Sequence, residues 1–305
     1  MRLRFATTLL LALLPGVALA GPAPVEPPPG QVIKIWIRPS GSAERKYTEV
    51  DLSVKPKLEV TREDIQYPGE KMKYRGVPLR ALLEVMERTG RSDLALLHFE
   101  NGMTVPFPID DLEVLKTLDP FIATELKVND LWITAFPMVT KGPEGHDVRP
   151  LKFQRNKLVV ATKLHPFTTK AAQADGFSPF SFTNTLTGIE YVRADEWYKQ
   201  FDVGRTDGEK AGFVVFKSHC QFCHSVREVG GRYGIDFVKP APVVERIGVH
   251  GLYLHVRYRD RDAPEKGQMM PFFKDVTKDD VTALHAWLTF LTRARPVPYV
   301  APPSL

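Results

Sequence analysis

The sequence predicts two domains, an α+β domain over residues 31–165 followed by an all-α domain over residues 204–295. Up to residue 165, strand-like runs rich in Val, Ile, Leu and Phe alternate with helix-patterned stretches, whereas from Val203 to about Arg295 the apolar spacing is mostly helical. Residues 166–203, between the two, are aromatic-rich yet broken by Gly, Pro, Asn and Thr. Exposing so many large rings is costly, so this stretch is expected to be a connector packed against one or both domains. A chain of 305 residues is long enough for two domains, and its 43% hydrophobic and 25% charged content is that of globular protein.

Residues 1–20 read as a secretory signal. Arg2 and Arg4 form a basic start, residues 5–14 are apolar, and Ala18-Leu19-Ala20 gives a small-x-small cleavage site before Gly21. The apolar run is shorter than the roughly 20 residues that span a bilayer, so cleavage is expected rather than retention as an anchor, with no stable membrane insertion afterwards. Residues 21–30 are a Pro-rich tether. Strands are expected at 32–37, 47–54, 58–60, 94–99, 103–107, 131–136 and 158–162. Pro78 opens a helix that closes near Gly90, and a second helical pattern spans 110–118. The chain closes on a Pro-rich surface tail, residues 296–305. The net charge of +5 includes the two signal arginines and is too small to argue for nucleic acid. Arg257, Arg259 and Arg261 are interleaved with Asp260 and Asp262, the pattern of a solvated turn rather than a phosphate site.

The only two cysteines lie in Cys220-Gln221-Phe222-Cys223-His224. CxxCH is the attachment signal for a c-type haem: each thiol adds across one vinyl group, and the adjacent histidine reaches the iron. A disulfide, a zinc half-site and two buried thiols are the competing readings. Zinc wants four protein ligands, or three and water, and no second cysteine pair exists to complete such a site. Upstream, Gly212 and Phe216 fall on the same helix face as Cys220. Gly212 would permit close approach of another helix, and Phe216 would pack inward. Downstream, Asp279 and Asp280 suit a helix N-terminus, and Val281, Leu284, Leu288 and Leu291 recur at helical spacing beside Trp287.

These features resemble the class I cytochromes c, over about a third of the chain. The resemblance implies export to the periplasm, since this haem is attached outside the cytoplasm. It implies one covalent haem c held by Cys220 and Cys223, with Phe216, Pro271 and Trp287 in haem packing or helix contact. Met270-Pro271 followed by phenylalanine resembles the ligand loop of that family, and so implies His224 and Met270 as axial ligands. His250 and His255 are alternative second ligands. The family's Gly-Pro after CxxCH, whose proline carbonyl accepts from the haem histidine, is replaced here by Gly234-Ile235.

Lys73-Tyr74-Arg75-Gly76-Val77-Pro78-Leu79-Arg80-Ala81-Leu82-Leu83, with Asn101-Gly102-Met103-Thr104-Val105-Pro106 after it, resembles the molybdopterin-binding fold of the sulfite oxidase type over residues 30–165. That family holds molybdenum through a cysteine thiolate, and both cysteines here are assigned to haem, so molybdopterin is not expected and a degenerate docking or ligand-binding relative is. His98, His146 and His165 are scattered and read as surface or capping residues. The expected function is a periplasmic monohaem carrier of single electrons to or from a partner redox protein, a dehydrogenase or a terminal acceptor. An electron exit is expected near Phe222 or residues 269–272. The alternative is an oxidoreductase whose N-terminal domain oxidises a small substrate with a second cofactor and passes electrons to the haem.

Overall fold

The computed structural model describes residues 34–38, 48–64, 67–85, 93–128, 130–136, 153–154, 156–161, 178–258, 270 and 273–294. The expected signal (1–20), tether (21–30) and tail (296–305) lie outside these residues, as do His146 and His165. In chain order the strands and helices are β1 (Lys34–Arg38), β2 (Thr48–Asp51), β3 (Leu58–Asp64), β4 (Tyr67–Pro78), α1 (Leu79–Val85), β5 (Leu94–Phe99), β6 (Thr104–Pro108), α2 (Leu112–Leu118), β7 (Phe121–Val128), β8 (Leu131–Ile133), β9 (Ala135–Phe136), β10 (Phe153–Gln154) and β11 (Lys157–Val159). Then come β12 (Leu186–Val192), α3 (Ala194–Lys199), α4 (Asp207–Val215), β13 (Ser225–Val226), β14 (Val229–Gly230), α5 (Val243–Arg246), α6 (Val249–Tyr258) and α7 (Lys278–Arg293).

One five-stranded sheet has the order β2-β1-β12-β5-β6, and the other runs β11-β7-β4-β3 with β8 paired to β7. All of these pairings are antiparallel except β1 with β12. The second sheet explains the residues around Tyr74. Tyr74 is buried and donates from its hydroxyl to Asp64 Oδ2 at 2.7 Å, and Lys157 Nζ donates to the same oxygen. At Gly76 the β4–β7 register shifts, and a Cβ there would lie 2.0 Å from the Ile122 carbonyl oxygen, so the position excludes any side chain.

The expected succession of an α+β domain and an all-α domain is overturned. The chain is a mixed α/β protein with antiparallel sheets. Among the described residues its C-terminal region holds one long helix, α7, with shorter helices and the β13–β14 hairpin, and no all-α cytochrome c domain stands apart. The physical reason is β5. Ala95, Leu97 and Phe99 face a core shared with α1 and α2, while Leu94 and Leu96 face the core that contains Trp197, Phe216, Cys220 and Trp287. A strand buried on both faces reads as the continuous apolar run Leu94-Ala95-Leu96-Leu97, and it binds the C-terminal helices to the sheet. Within residues 166–203, β12 lies between β1 and β5, and α3 stacks Trp197 and Tyr198 against Phe201, whose ring is 5.3 Å from that of Phe216.

Helices α4 and α7 cross at Gly212, where a Cβ would lie 2.1 Å from the Ala283 carbonyl oxygen and 2.7 Å from Trp287 Cβ. The close approach sets Phe213 and Phe216 at 5.5 and 4.9 Å, centroid to centroid, from the fully buried Trp287. Each helix starts with a capping box, Thr206 with Glu209 and Thr277 with Asp280. Among the described residues no helix is long and apolar enough to cross a membrane.

Candidate functional site

Helix α4 does not stop at Val215 but runs on as one π-helical turn, Phe216–Cys220, in which the Gln221 N–H donates to the Phe216 carbonyl at 3.0 Å. Such turns widen the helix and turn side chains out of its regular register. Cys220 follows in this turn, and the His224 N–H closes back onto the Cys220 carbonyl at 2.9 Å. The motif thus forms a tight loop at the end of a helix.

That loop is held from both sides. Phe222 is fully buried in the core beneath the sheet, and its carbonyl accepts from the Thr104 N–H of β6 at 3.0 Å. The Arg232 N–H donates to the Gly102 carbonyl at 2.6 Å. Gly102 turns with φ of +86° against Arg232, and a Cβ there would lie 3.0 Å from the Arg232 carbonyl carbon.

A cavity of about 540 Å³ opens beside the loop, within the range of small-molecule and cofactor sites. Cys220, Cys223, His224 and Met270 all line it. Val243, Ile247, Leu252, Val256, Phe273 and Leu284 supply apolar wall, with Leu252 and Val256 coming from α6 and Leu284 from α7. Phe216 and Trp287 lie behind Cys220 in the same core rather than on the cavity wall. Pro271, Met269 and Phe272 lie outside the described residues. Of the alternative histidines, His255 lines the cavity, whereas His250 is exposed and does not.

Both cysteines are buried free thiols. Burial pushes each thiol up to about 12, with the neighbouring Cys223 adding to the effect at Cys220. At neutral pH the free thiols are therefore protonated, which argues against a reactive disulfide couple. Among the described residues no group of three or more His, Cys, Asp and Glu side chains is placed to hold a metal ion.

His224 is half-buried, and its ring stacks on Phe237 at 4.5 Å and 20°. Its Nδ1 lies 2.8 Å from the Ile235 carbonyl oxygen. A carbonyl only accepts, so Nδ1 carries the proton and Nε2 is the basic nitrogen of the neutral ring, the form that binds a metal. Gly234 leaves the ring its space, since a Cβ there would lie 2.4 Å from His224 Cε1. A second histidine, His219, lines the cavity and pairs with Asp275 at 2.9 Å.

Sequence reasoning missed Asp236 and Phe237, which lie in a loop without periodicity. The Gly234-Ile235 departure from the resembled family was the one signal that pointed there. Elsewhere, His98 is half-buried on β5, with Glu190 at 3.5 Å and Thr104 Oγ1 at 3.3 Å. No family model matches the chain, and no curated protein matches it.

Proposed function

We propose that the chain is a periplasmic protein carrying one covalent haem c, which transfers single electrons to or from a partner redox protein, a dehydrogenase or a terminal acceptor. The observation that carries the reading is the cavity: two neutral thiols, an imidazole with its Nδ1 proton already engaged, and a thioether line one apolar space of about 540 Å³. That donor set beside an apolar wall fits haem c, and among the described residues no group of three or more His, Cys, Asp and Glu side chains is placed to hold a bare metal ion. When bound, haem supplies a one-electron iron couple. Cys220 and Cys223 would hold it covalently, His224 would offer Nε2, and Met270 would offer a soft sulfur that favours the reduced state. The aliphatic wall gives the site a largely apolar surround. Two protein ligands, His224 and Met270, would suit outer-sphere electron transfer.

Residues 31–165 serve as the recognition module in this reading. Their hairpin at Gly102 and Thr104 grips the motif loop, so a partner seated on the sheet is coupled to the site through backbone hydrogen bonds. Absorption spectroscopy tests the ligands. The oxidised protein is expected to show a thioether-to-iron charge-transfer band at the red end of the visible range, and Met270→Ala is expected to abolish it. A band that survives the substitution contradicts the assignment. A wild-type protein without the band, combined with a spectral change in His255→Ala, would assign the second ligand to His255. Metal analysis separates the carrier from a self-sufficient oxidoreductase: iron alone supports the carrier, and molybdenum or copper at one per chain supports the enzyme.

A further inference from the structure

The loop that follows the motif is organised by one carboxylate. Asp236 Oδ2 accepts from Ser225 Oγ at 2.7 Å and from the Glu228 N–H at 2.7 Å. Oδ1 accepts from the N–H groups of Arg227, Val238 and Lys239 at 3.2, 2.8 and 2.9 Å. Burial alone would raise this carboxyl, yet the backbone N–H groups, led by that of Glu228, hold it below the usual carboxylate range.

The position of Asp236 gives these bonds a consequence for the site. Its predecessor Ile235 supplies the carbonyl that accepts from His224 Nδ1–H, and Ser225 is the residue after His224. The carboxylate therefore ties together the two backbone segments that hold the imidazole. The Gly234 N–H donates to the Cys223 carbonyl at 2.7 Å, and the Phe237 N–H to the Ser225 carbonyl at 2.9 Å, bracketing the histidine on each side. The β13–β14 turn is also unusual. Arg227 and Glu228 occupy its two central positions at φ of +51° and +73°, where Asn-Gly is the ordinary choice, and Asp236 accepts from both of their N–H groups.

We infer that Asp236 is the positioning residue for His224: it fixes the Ile235 carbonyl against Nδ1 and thereby sets the tautomer and plane of the ring that faces the cavity. An acceptor fixed on the remote nitrogen governs both the orientation and the basicity of a ligating histidine. The inference rests on the haem reading for its functional meaning, but the hydrogen-bond geometry can be tested without haem.

The test uses the full chain, haem-free and haem-loaded, with Asp236→Asn and Asp236→Ala. The asparagine keeps the shape but replaces one acceptor oxygen by a donor that faces N–H groups. In the haem-free chain, long-range ¹H–¹⁵N spectra should show His224 as the Nδ1–H tautomer, with both variants shifting toward a mixture with the Nε2–H form. In the oxidised loaded chain, the haem methyl proton resonances follow the plane of the axial imidazole, and their order or spread should change in the variants. Ser225→Ala removes one bond and should leave both readouts close to wild type. Retention of the single tautomer and of the methyl pattern in the aspartate variants overturns the inference. Should Asp236→Ala fail to fold, Asp236→Asn decides alone. A chain that takes up no haem refutes the proposed function, and the tautomer measurement still decides the role of Asp236.

Discussion

Replacing Gly212 by alanine puts a methyl group where α4 crosses α7. The new Cβ would meet the Ala283 carbonyl oxygen at 2.1 Å, its carbon at 2.5 Å and Trp287 Cβ at 2.7 Å, whereas ordinary contact begins near 3.4 Å. Two of the three atoms are helix backbone, which cannot rotate aside, so the helices must separate by roughly 1 Å in a core packed as densely as an organic crystal. Overpacking of this kind costs about 1–3 kcal/mol. Alanine's better helix propensity returns about 1 kcal/mol. Because the clash is with backbone, the upper part of the first range applies, and a net loss of about 1–2 kcal/mol is expected. Urea unfolding followed by far-ultraviolet circular dichroism measures it as a lower midpoint at unchanged slope. The separation also draws Leu284 of α7 away from the motif, so the haem-loaded variant should show a weakened thioether band. An alanine variant as stable as wild type, or more stable, would refute the crossing at Gly212.

Three further outcomes follow from the same contacts. Leu96→Ala empties a site between β5 and the Trp287 core and should cost about 2–5 kcal/mol; because β5 serves both cores, tryptophan fluorescence and circular dichroism should still report one coincident transition, and a separate transition for the C-terminal region would contradict the fold. Asp64→Asn leaves the buried Lys157 ammonium, already lowered by burial, without its carboxylate, and should cost about 3–5 kcal/mol by the same urea assay; a loss below 1 kcal/mol would show the pair to be dispensable. With both thiols raised to about 12, the haem-free native chain should react with iodoacetamide at neutral pH about a thousandfold more slowly than free cysteine. The linked stability is fully present below the unfolded thiol value, near pH 8.5, and is lost as pH rises toward 12; rapid alkylation of the native chain at pH 7 would contradict this.

The parts of the molecule legible from sequence are those written in local periodicity. The runs at 94–99 and 131–136 form β5 and β8–β9, the Pro78 start opens α1, and Gly212, Phe216 and Trp287 carry in their helical spacing the contact that α4 makes with α7. The division into domains was not legible, because whether Leu94 and Leu96 face solvent, α1 or α7 is a long-range fact that a continuous apolar run does not encode. The β13–β14 hairpin was invisible for a different reason. Its turn is Arg227-Glu228, which carries no turn signal, and its stability comes from Asp236 eight and nine residues on. Strand β4 was hidden by Pro68, Gly69, Gly76 and Pro78, residues that normally punctuate a strand. At the site, Cys220, Cys223, His224 and Met270 were named from spacing and resemblance, and all four line the cavity. Ile235 and Asp236 act through a backbone carbonyl and a loop carboxylate, roles that any sequence can fill.

Covalent haem attachment is the most direct test of the electron-transfer proposal. The full chain, exported in a bacterium that matures c-type haem, is denatured, extracted with acidified acetone and assayed for iron and for the reduced pyridine haemochrome spectrum. One haem per chain should survive extraction, and Cys220→Ser with Cys223→Ser should retain none. A wild-type chain that loses its haem to the solvent, or never acquires any, would contradict the proposal.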